Sequence, residues 1–203
     1  YSNSLTSGSQ LMKLLNSGAW WNGTSGSYYN DSTQATTLNF TNYKLSDKAK
    51  SYITTSRYYL GGYNGSIILT SAMYGYERGT TRYDTNRPLY WDGMVGLMYP
   101  SDYGYAAGNT CVTGTKLYNY DGGCKNKDWL WMTTSSDYTN NAEWLMSPYS
   151  GNSGIAFYVS SSGYVGKRYV NNVYSVRPVF FLSSTTLITG GTGTESDPYI
   201  ISK

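Results

Sequence analysis

The chain has 203 residues, room for one large domain or two small ones. Only 13% are charged while 17% are aromatic, with Tyr alone numbering 24, a balance that excludes disorder over most of the length. The net charge of +3 is too small to argue for nucleic acid, and the complete lack of His removes Ser-His-Asp and Cys-His catalysis, two-His metal sites and imidazole switching.

Residues 4–16 carry Leu11, Leu14 and Leu15 at helical spacing, with Gly18 as a stop. Residues 22–37 are rich in Gly, Ser, Asn and Thr and read as a loop. Leu45, Ala49, Tyr52, Ile53 and Leu60 then share one helical face. Ser46 suits the cap of that helix, Asp47 its positive end and Arg57 its negative end, with Gly61-Gly62 as terminators. These are the only two helices predicted. Ser66–Thr70 reads as a short β run, 74–92 as irregular chain around Tyr74, Tyr76, Tyr83, Tyr90 and Trp91, and Met94–Tyr99 as a strand stopped by Pro100. Cys111 and Cys124 bracket the turn formers Gly114, Asn119, Asp121, Gly122 and Gly123, which favours a disulfide closing one loop over two separate buried thiols. A bridge of this span is worth about 3 kcal/mol in the chain-entropy picture. Beyond Trp129-Leu130-Trp131-Met132 the chain turns to β: Gly154–Ser160, Tyr164–Val165, Ser175–Leu182 and Tyr199–Ile201, separated by turns such as Ser161-Ser162-Gly163 and Asn171-Asn172. This order implies one α+β domain over 1–203, with a helical part at 1–62 and a loop-and-strand part at 63–203. Two helices would pack on a small twisted antiparallel sheet with long irregular loops.

Little in the chain points to catalysis. The 12 acidic residues are scattered, and no spacing selects a glycosidase pair. Phosphate-binding, dinucleotide and G-x-S-x-G patterns are missing, and Gly190-Gly191-Thr192-Gly193 lies between strands, as a turn does. Two Cys cannot form a four-thiolate metal site. No enzyme activity, cofactor or metal is therefore expected. No apolar run, Ile67-Ile68-Leu69 included, approaches the roughly 20 residues of a membrane-spanning helix. A first residue of Tyr rather than Met suggests a processed or trimmed product. The disulfide, low charge and Tyr/Ser/Thr/Gly/Asn-rich composition suggest an extracellular setting. Trp144 to Arg177 is loaded with Tyr, Ser, Gly and Asn, the residue set of antibody paratopes. Composition alone favours the ordinary solvent faces and turns of a Tyr/Ser-rich β protein over a recognition surface, because the whole chain is Tyr/Ser-rich.

Within this segment, Trp144-Leu145-Met146-Ser147-Pro148, Ala156-Phe157-Tyr158-Val159, Ser162-Gly163-Tyr164-Val165 and Tyr174-Ser175-Val176-Arg177-Pro178-Val179 resemble a bacterial family of unknown function. They are similar also to the Fibrobacter-type major paralogous domain. Both look like C-type-lectin-like folds of the formylglycine-generating-enzyme branch. Gly96–Ala106 and Thr189–Tyr199 look like ectodomains of Gram-positive gut bacteria. The resemblance covers 94–201 well and 1–93 poorly. It implies a display scaffold, as in the variable proteins of diversity-generating retroelements. The ligand-binding positions it implies are Tyr149, Ser150, Asn152, Ser153, Ile155, Tyr158, Ser160, Tyr164, Lys167, Arg168, Tyr169, Asn171, Asn172 and Tyr174, with Gly151 and Gly166 exposed among them. Trp144, Pro148, Phe157, Val159, Val165, Val176, Arg177 and Pro178 would be frame, and Arg177 would need a carboxylate or carbonyls to satisfy its donors. The E-P-N and W-N-D calcium-sugar motifs are missing, and Cys111 and Cys124 do not match the enzyme branch's active-site cysteines. Neither calcium-dependent sugar binding nor oxidase activity is therefore implied. The expectation is a bacterial surface-displayed adhesin or receptor-type domain, binding a protein or glycan on another cell, a phage or a host surface. The alternative is a structural pilus or filament-associated subunit.

Overall fold

The computed structural model describes residues 9–29, 35–65, 67–120, 123–124, 142–194 and 196–203. The expected first helix is α1 (Gln10–Asn16), and Gly18 interrupts rather than ends the helical path, since α2 (Ala19–Asn22) follows at once. The expected loop at 22–37 is instead largely a hairpin, β1 (Ser25–Tyr29) against β2 (Ala35–Asn39). Its Ser, Gly and Thr composition hides a pairing carried by the backbone ladder. The second expected helix is shorter than its apolar spacing suggests. α3 (Asp47–Tyr52) is capped by Ser46, whose Oγ accepts from the Ala49 N–H at 3.0 Å. It stops at the β-branched Ile53-Thr54-Thr55, which moves the chain into β3 (Ile53–Thr54) and β4 (Ser56–Tyr59). Gly61 and Gly62 therefore do not end a helix. They allow close approach: a Cβ on Gly61 would strike the carbonyls of Tyr76 and Glu77, and one on Gly62 the carbonyl of Pro148.

The middle of the chain departs most from expectation. Ile67–Leu69 lie outside any strand, and Thr70 opens α4 (Thr70–Glu77). Residues 74–92 are thus partly helical and end in β5 (Tyr90–Gly93), which pairs with β4. Pro100 does stop the run containing β6 (Val95–Leu97), but as the first residue of α5 (Pro100–Ala106). α6 (Asn109–Gly114) and a 3₁₀ turn, Leu117–Asn119, lead to Cys124, which is disulfide-bonded to Cys111. Trp129–Met132 lie outside the described residues. Of the later strands, β7 (Glu143–Pro148) and β11 (Leu187–Gly190) are unexpected, while β8 (Ile155–Val159), β9 (Val165–Tyr169), β10 (Pro178–Leu182) and β12 (Ile200–Ser202) lie near their expected places.

The architecture is mixed α/β with several small antiparallel sheets, not two helices on one sheet. The sheets are β1-β2, β3-β10-β6, β4-β5, β7-β8-β9 and β11-β12. The larger core joins Ile68, Met73, Met98, Tyr103, Leu117 and Tyr120 from the helical middle to Leu145, Phe157, Val159 and Val165 from β7-β8-β9. A smaller core gathers Leu15, Val95 and Leu97 under Trp20, Trp21 and Phe180. Asn16 ties α1 to it: its Oδ1 accepts from the Met94 and Val95 N–H groups at 2.9 Å each, and its Nδ2 donates to the Val95 carbonyl at 2.8 Å. Among the described residues no helix is long and apolar enough to cross a membrane.

One buried carboxylate joins the two middle helices. Glu77, 0% exposed at the end of α4, accepts from the Ser101 N–H at 2.9 Å, from the Ser101 hydroxyl, and from Arg78 Nη1 at 2.8 Å. Asp102 in the same first turn of α5 accepts from the Tyr99 N–H at 3.1 Å. Burial pushes the Glu77 carboxyl up to about 7, against the opposing pull of Ser101 and Arg78. In the unfolded chain it returns to its ordinary 4.5. Between those values the folded protein holds a proton that the unfolded chain has lost. Stability therefore falls as pH rises from about 4.5 to about 7, by about 3 kcal/mol from this group. Asp102 and Glu143, also raised chiefly by burial, act in the same direction. Urea unfolding at pH 5 and pH 8 is expected to show this loss in the wild type and a much smaller one in Glu77→Gln. Equal losses in both proteins would remove Glu77 from the account.

Candidate functional site

The sheet β7-β8-β9 holds most of the segment singled out from sequence. Its register sets Ile155 opposite Tyr169, Ala156 opposite Arg168, Phe157 opposite Lys167, Tyr158 opposite Gly166 and Val159 opposite Val165. Trp144 of β7 stands opposite Tyr158 on the other side of β8. Side chains alternate across a strand, so Phe157, Val159 and Val165 turn into the larger core while Trp144, Tyr158 and Arg168 share the other face.

That second face is an aromatic cluster. The Tyr174 ring centroid lies 4.8 Å from Trp144 and 4.9 Å from Tyr158. Tyr164 adds a centroid 6.1 Å from Tyr158, and their hydroxyls hydrogen-bond at 3.0 Å. Tyr118, from the disulfide-closed loop, extends the cluster 5.4 Å beyond Tyr164. These offsets and tilts suit the ring quadrupoles. Gly166 makes the arrangement feasible, because a Cβ there would sit 2.8 Å from the Tyr158 ring and 3.0 Å from the Tyr164 ring. Burial, with Tyr164 alongside, pushes the Tyr158 hydroxyl up to about 12. Arg168 is exposed, and the tyrosine hydroxyls of Tyr158 and Tyr174 raise its guanidinium further. It presents a cation beside the Tyr158 and Tyr174 hydroxyls.

The structure divides the candidates rather than uniting them. Tyr158, Tyr164, Arg168 and Tyr174 come together. Ile155, Lys167 and Tyr169 belong by register to the Phe157 side of the sheet. There Lys167 Nζ lies 3.9 Å from the centre of the Tyr149 ring. Ser150 donates its N–H to the Tyr63 carbonyl at 3.1 Å, and Asn152 closes its turn by accepting from the Gly154 N–H at 2.8 Å. Ser153 is exposed in that turn, and Gly151 precedes it. Ser160 pairs with Ser162 in the β8–β9 turn, while Asn171 and Asn172 follow β9, with Asn172 Nδ2 donating to the Tyr169 carbonyl. Two expected exposures fail: Tyr158 is 4% exposed and Gly166 is buried, because each fills the space the other leaves. Among frame positions Phe157, Val159 and Val165 are buried as expected, whereas Val176 is exposed. Arg177 finds its carboxylate in Glu143, with Nη2 and Nε at 2.8 and 3.2 Å from Oε2. Tyr118 was not foreseen, and no sequence spacing links it to Tyr164.

No family model, curated protein or solved structure matches the chain. Among the described residues no group of three or more Cys, Asp or Glu side chains is placed to hold a metal ion.

Two substitutions probe the build of this sheet. Gly166→Ala is expected to cost about 1–3 kcal/mol by overpacking the two tyrosine rings, read as a lowered melting temperature and an altered near-ultraviolet tyrosine signal. Arg177→Leu strands the buried Glu143 and is expected to cost about 3 kcal/mol, while Glu143→Leu/Arg177→Leu costs less than that single change. A double variant at least as unstable as the single one would contradict the pairing.

Proposed function

We propose that this chain is an extracellular, non-catalytic ligand-binding domain. Its binding face is the edge of β7-β8-β9 where exposed Arg168 meets the half-buried Tyr164 and Tyr174, and its ligand is a protein or glycan on another cell, a phage or a host surface. The observation that carries this reading is the exposed Arg168 guanidinium interacting with the Tyr158 and Tyr174 hydroxyls, at the edge of the ring cluster that Trp144, Tyr158, Tyr164 and Tyr174 form. Arg, Tyr and Trp dominate recognition hot spots because they offer large contact area and directed hydrogen bonds for little rotamer entropy. The disulfide supports an oxidising compartment. The resemblance of 144–179 to C-type-lectin-like ectodomains and to retroelement variable proteins supports a display role. In that role substitution is accommodated at Tyr164, Arg168 and Tyr174, while Tyr158 and Gly166 belong to the frame. A neighbouring reverse-transcriptase gene with a near-copy of the 149–177 coding segment, differing at adenines, is the genomic signature of such a protein.

The alternative of a pilus or filament subunit draws on the hairpin β11-β12. Leu187, Ile188 and Ile200 there are 61%, 64% and 61% exposed, the mark of a surface that meets another chain. Electron microscopy of native cells would then show the domain along filament shafts.

For the binding reading, fluorescently labelled protein is applied to bacterial cells, phage particles and host epithelial cells. Tyr164→Ala and Arg168→Ala are each expected to weaken staining about tenfold or more while the melting curve stays close to wild type. Staining that survives both changes would place binding elsewhere.

A further inference from the structure

A second aromatic surface lies outside the β7-β8-β9 sheet, on residues the sequence left as irregular chain. On the ribbon β4-β5, Arg57 stands opposite Asp92 and Tyr59 opposite Tyr90. Arg57 forms a two-pronged pair with Asp92, Nε–Oδ1 at 3.0 Å and Nη2–Oδ2 at 3.2 Å. Its guanidinium carbon also lies 3.9 Å from the centre of the Tyr90 ring. At the other side of Tyr59, Arg78 repeats the device. It pairs with Glu77 at 2.8 Å, lies 3.7 Å from the Tyr74 ring centre and 5.9 Å from that of Tyr59. Tyr105 of α5 ends the row, 6.3 Å from Tyr74. The result is a strip in which two guanidinium groups contact three tyrosine rings and a fourth, Tyr105, packs edge-on against Tyr74.

Three properties define what the strip fits. The rings of Tyr59, Tyr74, Tyr90 and Tyr105 are 39–49% exposed, so each is held yet offers about half its surface. Their footing is rigid: Tyr99 donates its hydroxyl to the Tyr59 carbonyl at 3.0 Å, and Gly61 donates its N–H to the Glu77 carbonyl at 3.0 Å. Pre-ordered side chains lose little entropy on binding. Finally, above about pH 7, where Glu77 has lost its proton, each guanidinium has a carboxylate partner. The strip is charge-neutral, rich in hydrogen-bond donors and acceptors, and lined with ring faces. A polyanion finds no unpaired cation there. A protein hot spot is a compact cluster in fully desolvated surroundings, not an extended row of half-exposed rings. A chain of neutral sugars matches all three properties, with apolar C–H faces for the rings and hydroxyls for the Arg57–Asp92 fork. We propose that this strip is a binding surface for an extended neutral polysaccharide, separate from the Arg168 face.

The test is affinity electrophoresis of the whole chain. Native gels carry soluble glucomannan, xyloglucan, mixed-linkage β-glucan or starch, with alginate as the polyanion. At least one neutral gel is expected to retard the protein. Tyr74→Ala and Tyr90→Ala are each expected to weaken the retardation about fivefold or more, with melting curves confirming the fold, and Arg168→Ala to leave it unchanged. The proposal is overturned by no retardation in any neutral gel, by retardation in alginate alone, or by retardation indifferent to both tyrosine changes. Loss of retardation in Arg168→Ala would also overturn it, while supporting the Arg168 face as the binding site.

Discussion

A carboxylate without access to water sits where α4 ends and α5 begins, and much of the molecule is fastened through it. Glu77 supplies the acceptor for the first turn of α5, whose Ser101 N–H would otherwise be left unpaired in the core. α5 in turn carries Tyr103, which donates its hydroxyl to the Gly163 carbonyl at 2.6 Å. Gly163 lies in the β8–β9 turn, one residue before Tyr164. The same carboxylate holds Arg78, and Arg78 orders Tyr74 and Tyr59. One buried group therefore underlies both aromatic surfaces, one through a helix and a turn, the other through a single ion pair. Three donors within one small space offset only part of the desolvation that makes an ionised Glu77 costly.

The abundance of tyrosine has a structural cause beside any recognition role. A fold made of several short sheets has many places where strands end and carbonyls lose their ladder partners. Tyrosine fills core volume and carries a hydroxyl that can reach such a carbonyl. The Tyr58 hydroxyl lies between the Met94 and Val179 carbonyls at 3.3 and 3.2 Å, Tyr99 reaches Tyr59, and Tyr103 reaches Gly163. Tyr120 shares its hydroxyl with Thr70 at 2.9 Å. Burial raises the pKa of each of these four phenols, so they remain neutral donors. Composition alone cannot separate such residues from a paratope.

That overlap explains what was legible in the sequence. The terminal strands showed clearly, because Ala156-Phe157-Tyr158-Val159 and Pro178–Leu182 are continuous apolar runs between turn formers. Ser46 showed as a cap because Ser before an Asp and a helical run has one physical use. α4 did not show, since its inward positions include Thr70 and Glu77, a polar pattern that becomes sensible only when Ser101 and Tyr120 arrive from elsewhere. α5 was marked by Pro100 followed by Asp102, a start signal read only as a strand stop. Within the candidate segment, which tyrosines share a face depends on strand register. Sequence gives the alternation but not the partner, so Tyr158 was counted among exposed positions. The Arg57, Arg78 and Tyr59 strip draws on four elements and has no local signature.

The two surfaces differ in what they demand of the fold. Around Arg168 the side chains rise from one three-stranded sheet and one adjoining loop, and its guanidinium faces tyrosine hydroxyls rather than a carboxylate. Replacing Tyr164, Arg168 or Tyr174 removes contacts that the core beneath, formed by Phe157, Val159 and Val165, does not need. Along the strip the case is reversed. Arg78 cannot change without stranding the buried Glu77, and Glu77 cannot change without freeing the start of α5. A surface whose residues are bound into the core in this way suits a constant ligand, whereas the sheet face can alter its side chains at local cost. What lies below each face, not the tyrosines they share, thus separates a surface bound into the core from one whose side chains can change at local cost.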